Sequence, residues 1–217
     1  MPEQLAIAGL RPEFAGISQM SKGDAASVVG PGELAKGYIE RNTSQLQFTA
    51  THLFGPSLGA DSWAVVGEIG GVRINNMPEY DEMRLNVSGT GRSGIMQGPG
   101  SSDYSALHMA LSNGPEQKSF ATASSWGYRL IAKGDYFNLY NGINFSPRFV
   151  FSHDVNGNTP DPMFLFIEDR KSLGATMSFN YQNAWSLDVS YNSFWGGGDT
   201  NTFSDRDYVS FNLKYSI

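Results

Sequence analysis

The 217-residue chain is 40% hydrophobic and 17% charged, apolar enough for one folded domain and too apolar for a disordered chain. Its net charge of −6 and pI near 5.0, with no cluster of Lys and Arg, argue against the phosphate neutralisation on which nucleic-acid binding rests. It has no cysteine, which removes disulfides and thiolate chemistry, and no run of about 18 apolar residues, which excludes a membrane-spanning helix.

The 25 glycines and 13% aromatics, with frequent Asn, Ser and Thr, favour short strands joined by turns. A mean hydropathy of −0.30 leaves a membrane barrel open, because a barrel strand shows lipid only every second side chain. Met1 to Leu10 lacks the basic and apolar regions of a signal peptide, so the sequence reads as an internal start or a truncated product. Residues 1–43 are expected to form an N-terminal segment, with a candidate strand over Glu3–Leu10 and a loop after it.

Residues 44–217 read as seven strands by their period-two alternation. Ser44–Phe54 sets Leu46, Phe48 and Ala50 against Gln45, Gln47 and Thr49. Trp63–Ile74 is less regular, with Glu68 and Arg73 in a Val, Ile and Gly segment. Trp126–Tyr136 opposes Tyr128 and Leu130 to Arg129 and Lys133, and Asn144–His153 opposes Phe145, Phe149 and Phe151 to Ser146, Arg148 and Ser152. Ser172–Tyr181 alternates without a break, Trp185–Trp195 alternates with aromatics at both ends, and Asp207–Ile217 sets Val209, Phe211, Leu213, Tyr215 and Ile217 against Ser210, Asn212, Lys214 and Ser216.

The connections alternate in length. Gly55–Asp61, Phe137–Gly142 and Gln182–Asn183 are short, whereas Asn75–Ser125, Asp154–Lys171 and Gly196–Arg206 are long. Short turns at one end and long loops at the other are the layout of a bacterial outer-membrane barrel. The fold expected is all-β: the C-terminal portion of an antiparallel transmembrane β-barrel with long extracellular loops. A soluble sandwich or lipocalin-like barrel also alternates, but would carry charge rather than Ser, Asn, Gly and Thr on its second face.

Six charges have the parity of the polar face: Glu68, Arg129, Lys133, Arg148, Asp188 and Lys214. On a lipid-facing surface each Lys or Arg would cost about 2–4 kcal/mol at the midplane, so their parity must be inward. They are candidates for a charged constriction that selects solute, or for a structural network filling a narrow barrel.

Other motifs are weaker. Gly89, Gly91 and Gly94 spell GxGxxG, but in a Gly- and Ser-rich loop without a βαβ unit around it. Asp154, Asn156, Asn158 and Asp161 bring oxygens at spacings loosely like a calcium loop, without its bidentate Glu, and an Asn156-Gly157 turn accounts for the same residues. His52, His108 and His153 are the histidines on which a hydrolase would draw, and no GxSxG elbow accompanies them. No catalytic group and no cofactor is expected.

Beyond alternation, the strings SQLQFTATHLFGPSLGAD, WAVVGEIG, SSWGYRLIAKGDY, NFSPRFVFSHDVNGNTPDP and RDYVSFNLKYSI run in order through roughly residues 36–217. In these the chain resembles the proteobacterial outer-membrane family known as domain of unknown function 1302. The resemblance implies an outer-membrane barrel, longer in full-length members and preceded there by a signal peptide. It also implies a setting of export or uptake of hydrophobic molecules. The chain departs from the usual barrel pattern by ending on Ile217 rather than Phe.

The function expected is therefore a channel or transport component of the bacterial outer membrane for hydrophobic or amphipathic small molecules. The partners expected are outer-membrane lipid and lipopolysaccharide, the barrel assembly machinery through the C-terminal strand, and an export or uptake system. A non-conducting scaffold or partner-binding barrel, and an outer-membrane hydrolase, are the alternatives.

Overall fold

A computed structural model describes residues 39–79, 85, 87 and 120–216. Seven strands run in chain order: β1 (Thr43–Phe54), β2 (Ser62–Ile74), β3 (Ser124–Tyr140), β4 (Ile143–Asn156), β5 (Lys171–Tyr181), β6 (Trp185–Trp195) and β7 (Tyr208–Tyr215). They form one sheet in the order β1-β2-β3-β4-β5-β6-β7, each hydrogen-bonded to its sequence neighbour, with antiparallel registers from β3 to β7. The only helical element among the described residues is a 3-10 turn at Gly198–Thr200. β1 and β7 are the two edges, and the described sheet is open rather than closed. The candidate strand at Glu3–Leu10 lies outside the described residues.

Tight turns join the strands at one end. Asn141 and Gly142 (φ 46° and 85°) connect β3 to β4, and Gln182 and Asn183 (φ 52° and 56°) connect β5 to β6. Both central residues of each turn are left-handed, the geometry whose twist matches that of the flanking strands. The β3 strand outruns the expected end at Tyr136 because a bulge absorbs the break in alternation. Asn138 takes φ 50°, its amide donates to Asn144 Oδ1 at 2.8 Å, and its own Oδ1 accepts from the Gly142 amide at 2.8 Å. The connection expected over Phe137–Gly142 is thus only the turn at 141–142.

The chain divides into two units: residues 1–44, 72–124 and 157–165 in the first, and 45–71, 125–156 and 166–217 in the second. The first has a small dense core, with Val72, Ile74, Val87, Phe120 and Ala121 all at 5% exposure or less. Its backbone is cross-tied by Ile74 N–H to Ala123 O, Ala121 N–H to Leu85 O and Thr122 N–H to Asn158 O, at 2.8–2.9 Å.

The second unit is built differently. β5, β6 and β7 have no buried residue, and all of β1 and β7 is exposed. Phe48, Phe211 and Leu213 are 65%, 79% and 60% exposed. A sheet normally buries its apolar side against a second layer. No layer of helix or sheet covers this one among the described residues.

At the other end of the β3–β4 hairpin the backbones approach closely at Gly127. A Cβ there would stand 2.6 Å from His153 O and 3.0 Å from Asp154 Cα, both backbone atoms that cannot step aside. Gly127→Val is therefore expected to splay this end of the hairpin and cost about 2 kcal/mol or more, read as a lower denaturation midpoint in urea. A wild-type midpoint would show that the strands have room.

Candidate site on the polar face of the sheet

Registered pairing fixes which side chains share a face. Across β3–β7 one row runs Lys133, Arg148, Thr176, Ser190, Ser210, and the next runs Ser146, Ser178, Asp188, Asn212 across β4–β7. Arg129 stands opposite Ser152 and Lys214 opposite Ser186, on the same face. On β2, a Cβ built at Gly67 points at Leu130 Cδ2, 3.5 Å away, so Gly67 faces the apolar side and its neighbour Glu68 the polar one. Thr49 Oγ1 donates to Glu68 Oε2 at 3.3 Å. All six charges singled out by parity therefore share one face.

They do not form one cluster. Lys133 and Arg148 are directly opposite, a repulsive pairing if both side chains stood upright. Lys133 instead turns to Asp135, Nζ to Oδ1 at 2.9 Å, and Asp135 Oδ1 also accepts from Ser146 Oγ at 2.7 Å. Asp135 has the parity of Lys133 and is the charged residue that alternation alone could have supplied and the six omit. Arg129 and Arg148 are exposed and have no hydrogen-bond or ion-pair partner among the described residues.

Asp154 does something that spacing did not indicate. It stands on the polar face opposite Gly127, and its side chain is only 8% exposed. Its Oδ2 accepts from Arg170 Nε at 2.7 Å and from the Ile167 amide at 3.1 Å, with Arg170 Nη2 at 2.6 Å. Its backbone N–H donates to Arg170 O at 2.9 Å, and its carbonyl accepts from the Asp169 amide at 2.8 Å. Asp154 thus pins residues 166–170 as a strap. The Phe166 ring lies over the polar face, where Cβ atoms built at Gly127 and Gly70 would meet it at 3.1 and 4.0 Å. Neither glycine can be read as a strap seat from sequence, because the strap's path is not periodic.

The oxygens weighed as calcium ligands have separate partners. Asp154 Oδ2 is committed to Arg170 and the strap, and the Asn156 amide reaches Glu168 Oε2 at 3.5 Å. In the first unit, the Asn158 side chain donates to Phe120 O at 3.3 Å. Asp161 is exposed. No group of three or more His, Cys, Asp or Glu able to hold a metal occurs among the described residues.

His52 packs its ring on Phe54, with centroids 4.2 Å apart, and His153 Nδ1 lies 3.4 Å from Tyr128 OH, while its Nε2 is 3.8 Å from Asp169 Oδ1. Neither bonds a serine among the described residues. His108 and the Gly89, Gly91, Gly94 motif lie outside them. At the loop rim Lys171 hydrogen-bonds Asp169 and holds its carboxyl below the ordinary carboxylate value, with His153 adding to the effect. Asp207 is lowered likewise, first by the Phe194 amide at 2.8 Å and then by the Ser193 hydroxyl at 2.7 Å, a clamp between the end of β6 and the start of β7.

The apolar face has its own order. Near the tight turns Tyr136, Phe145 and Phe179 stack in sequence at 5.6 and 5.0 Å, and Trp185 meets Tyr215 at 4.5 Å. At the loop end Phe151 lies 6.2 Å from Trp195 and 6.1 Å from Tyr128. Between these ends the registered rows mix aliphatic, small and aromatic side chains, as in Met177 with Val189 and Phe211, and Ala175 with Phe149 and Tyr191.

No curated protein and no solved structure matches the chain. The likeness seen over roughly 36–217 extends to almost the whole sequence: residues 2–217 match the profile of the family described as Protein of unknown function (DUF1302), and the chain belongs to that family.

Proposed function

We propose that this sheet is part of the wall of a bacterial outer-membrane β-barrel that passes hydrophobic or amphipathic small molecules. The observation that carries the reading is an apolar face that no layer covers among the described residues, with aromatic clusters near both ends and six charges on the opposite face. Trp and Tyr favour the two membrane interfaces, and Trp185, Tyr215 and Tyr136 stand at one end of this face with Trp195 and Tyr128 at the other, so lipid is the cover that matches an apolar face of this kind. The strand lengths agree, since β5 and β6 have 11 residues each and about 9–11 tilted residues cross a bilayer. Among the described residues seven strands leave two edges, and in this reading closure takes further strands, because bacterial single-chain barrels have an even number. The free edge of β7 is where the assembly machinery would pair.

In this reading the polar face lines the path, the strap at 166–170 narrows it, and the long connections are extracellular. An export or uptake system is the partner that would deliver or receive the solute. Arg129 and Arg148, without partners among the described residues, act on what passes. A charge at about 4 Å in water is worth about 1 kcal/mol, close to fivefold. In planar bilayers the double variant Arg129→Gln, Arg148→Gln is expected to lower anion-over-cation preference by about that factor, with heat-modifiable gel mobility unchanged. A folded variant with wild-type permeability would reject the constriction and favour a structural network. A wild-type protein that inserts and never conducts would move the chain to the scaffold class.

A further inference from the structure

Between β4, β5 and β6 the polar face has a gap where Gly174 supplies no side chain. Val150, Gly174 and Asn192 form one registered row, flanked by Arg148 with Thr176 on one side and Ser172 with Phe194 on the other. These residues line an open hollow of about 190 Å³. A Cβ on Gly174 would already stand 3.1 Å from Asn192 Oδ1.

The donors around this hollow are unspent. Arg148 and the Asn192 amide make no side-chain hydrogen bond among the described residues. Ser152 and Ser172 share one hydrogen bond at 2.7 Å, and Thr176 and Ser190 share another at 3.0 Å. Each hydroxyl pair uses one O–H and leaves the other to give. No acidic side chain lines the hollow, and Val150 and Phe194 supply apolar wall. A guanidinium fork with neutral donors beside it suits one negative charge on two oxygens, and the apolar wall suits a short hydrocarbon tail.

We infer that the hollow around Gly174 is a binding subsite for a short-chain monocarboxylate, its carboxylate on Arg148 and its tail against Val150 and Phe194. As a step on a solute path it rests on the proposed channel, and it names the charge class of the solute. As a binding site it stands on the sheet alone.

Calorimetric titration tests it in whichever medium, detergent or plain buffer, gives the folded sheet, so that failure of the membrane reading leaves this test intact. The probes are sodium hexanoate, the neutral hexan-1-ol, the cationic hexylammonium and inorganic phosphate. Hexanoate is expected to saturate and to bind at least about tenfold tighter than the other three. Arg148→Gln, a change at an exposed position, is expected to weaken hexanoate about tenfold or more. Gly174→Leu, which fills the hollow, is expected to abolish it, and Arg73→Gln, which removes an exposed charge on β2, to leave it unchanged. Equal binding of hexanoate and hexan-1-ol, wild-type affinity in Arg148→Gln, or tighter binding of phosphate would each overturn the inference. If Gly174→Leu fails to fold, Arg148→Gln decides.

Discussion

Arg170→Met is expected to lower the unfolding free energy by about 3 kcal/mol, because it strips the counter-charge from a carboxylate that is nearly dry. The Asp154 side chain is 8% exposed and its Oδ2 takes the Arg170 guanidinium at 2.6 and 2.7 Å. With the guanidinium gone, the Ile167 amide at 3.1 Å is the remaining donor at that oxygen, too little for a full charge. Arg170 is itself 28% exposed on its side chain, which sets the effect at the low end of the range for broken buried pairs. Adding Asp154→Asn to Arg170→Met is expected to recover part of the loss, since the second change removes the stranded charge. Urea midpoints of the two single variants and the double give the coupling. If Arg170→Met costs less than about 1 kcal/mol, the pair behaves as an exposed one and the strap is held by its backbone bonds alone. In bilayers the same variant is expected to raise conductance, because a loosened strap frees the polar face beneath Phe166.

Val189→Arg and Asp188→Arg are adjacent substitutions with opposite expected outcomes. Val189 lies on the apolar face between Met177 and Phe211, near the middle of β6, while Asp188 lies on the polar face between Ser178 and Asn212. Arg at the middle of a lipid-facing strand costs about 2–4 kcal/mol, so Val189→Arg is expected to lose most of the heat-modifiable, membrane-assembled form. Asp188→Arg leaves its charge in water and is expected to cost less than about 1 kcal/mol while altering ion preference. A soluble sheet would invert this order, since Val189 is 37% exposed and a charge there would only improve solubility. Equal assembly of the two variants would remove lipid as the cover of the apolar face.

The strand set and the facing of each side chain were legible from the sequence because period two is a local property. Once Phe145, Phe149 and Phe151 alternate with Ser146, Arg148 and Ser152, any sheet containing them sorts them onto two faces, whatever its partners. The same rule applied one step further along β3 would have found Asp135. Register is not local: nothing in β3 or β4 alone sets Lys133 opposite Arg148, and nothing in β5 alone lines Gly174 up with Val150 and Asn192 to leave a hollow. The strap was illegible for a related reason. Past Asp154 the alternation stops, and the path of residues 166–170 is set by one carboxylate meeting a guanidinium 16 positions on and by a ring that fits where Gly70 and Gly127 have no side chain. Spacing offered only a loose calcium-like pattern and a turn at Asn156-Gly157, and neither indicates the ion pair that Asp154 makes with Arg170. What the sequence determined by itself is a two-faced sheet, because alternation is a property of each strand alone. What tertiary structure decided is which atoms on that sheet meet, because that depends on hydrogen-bond ladders between strands whose relative slide no single strand records.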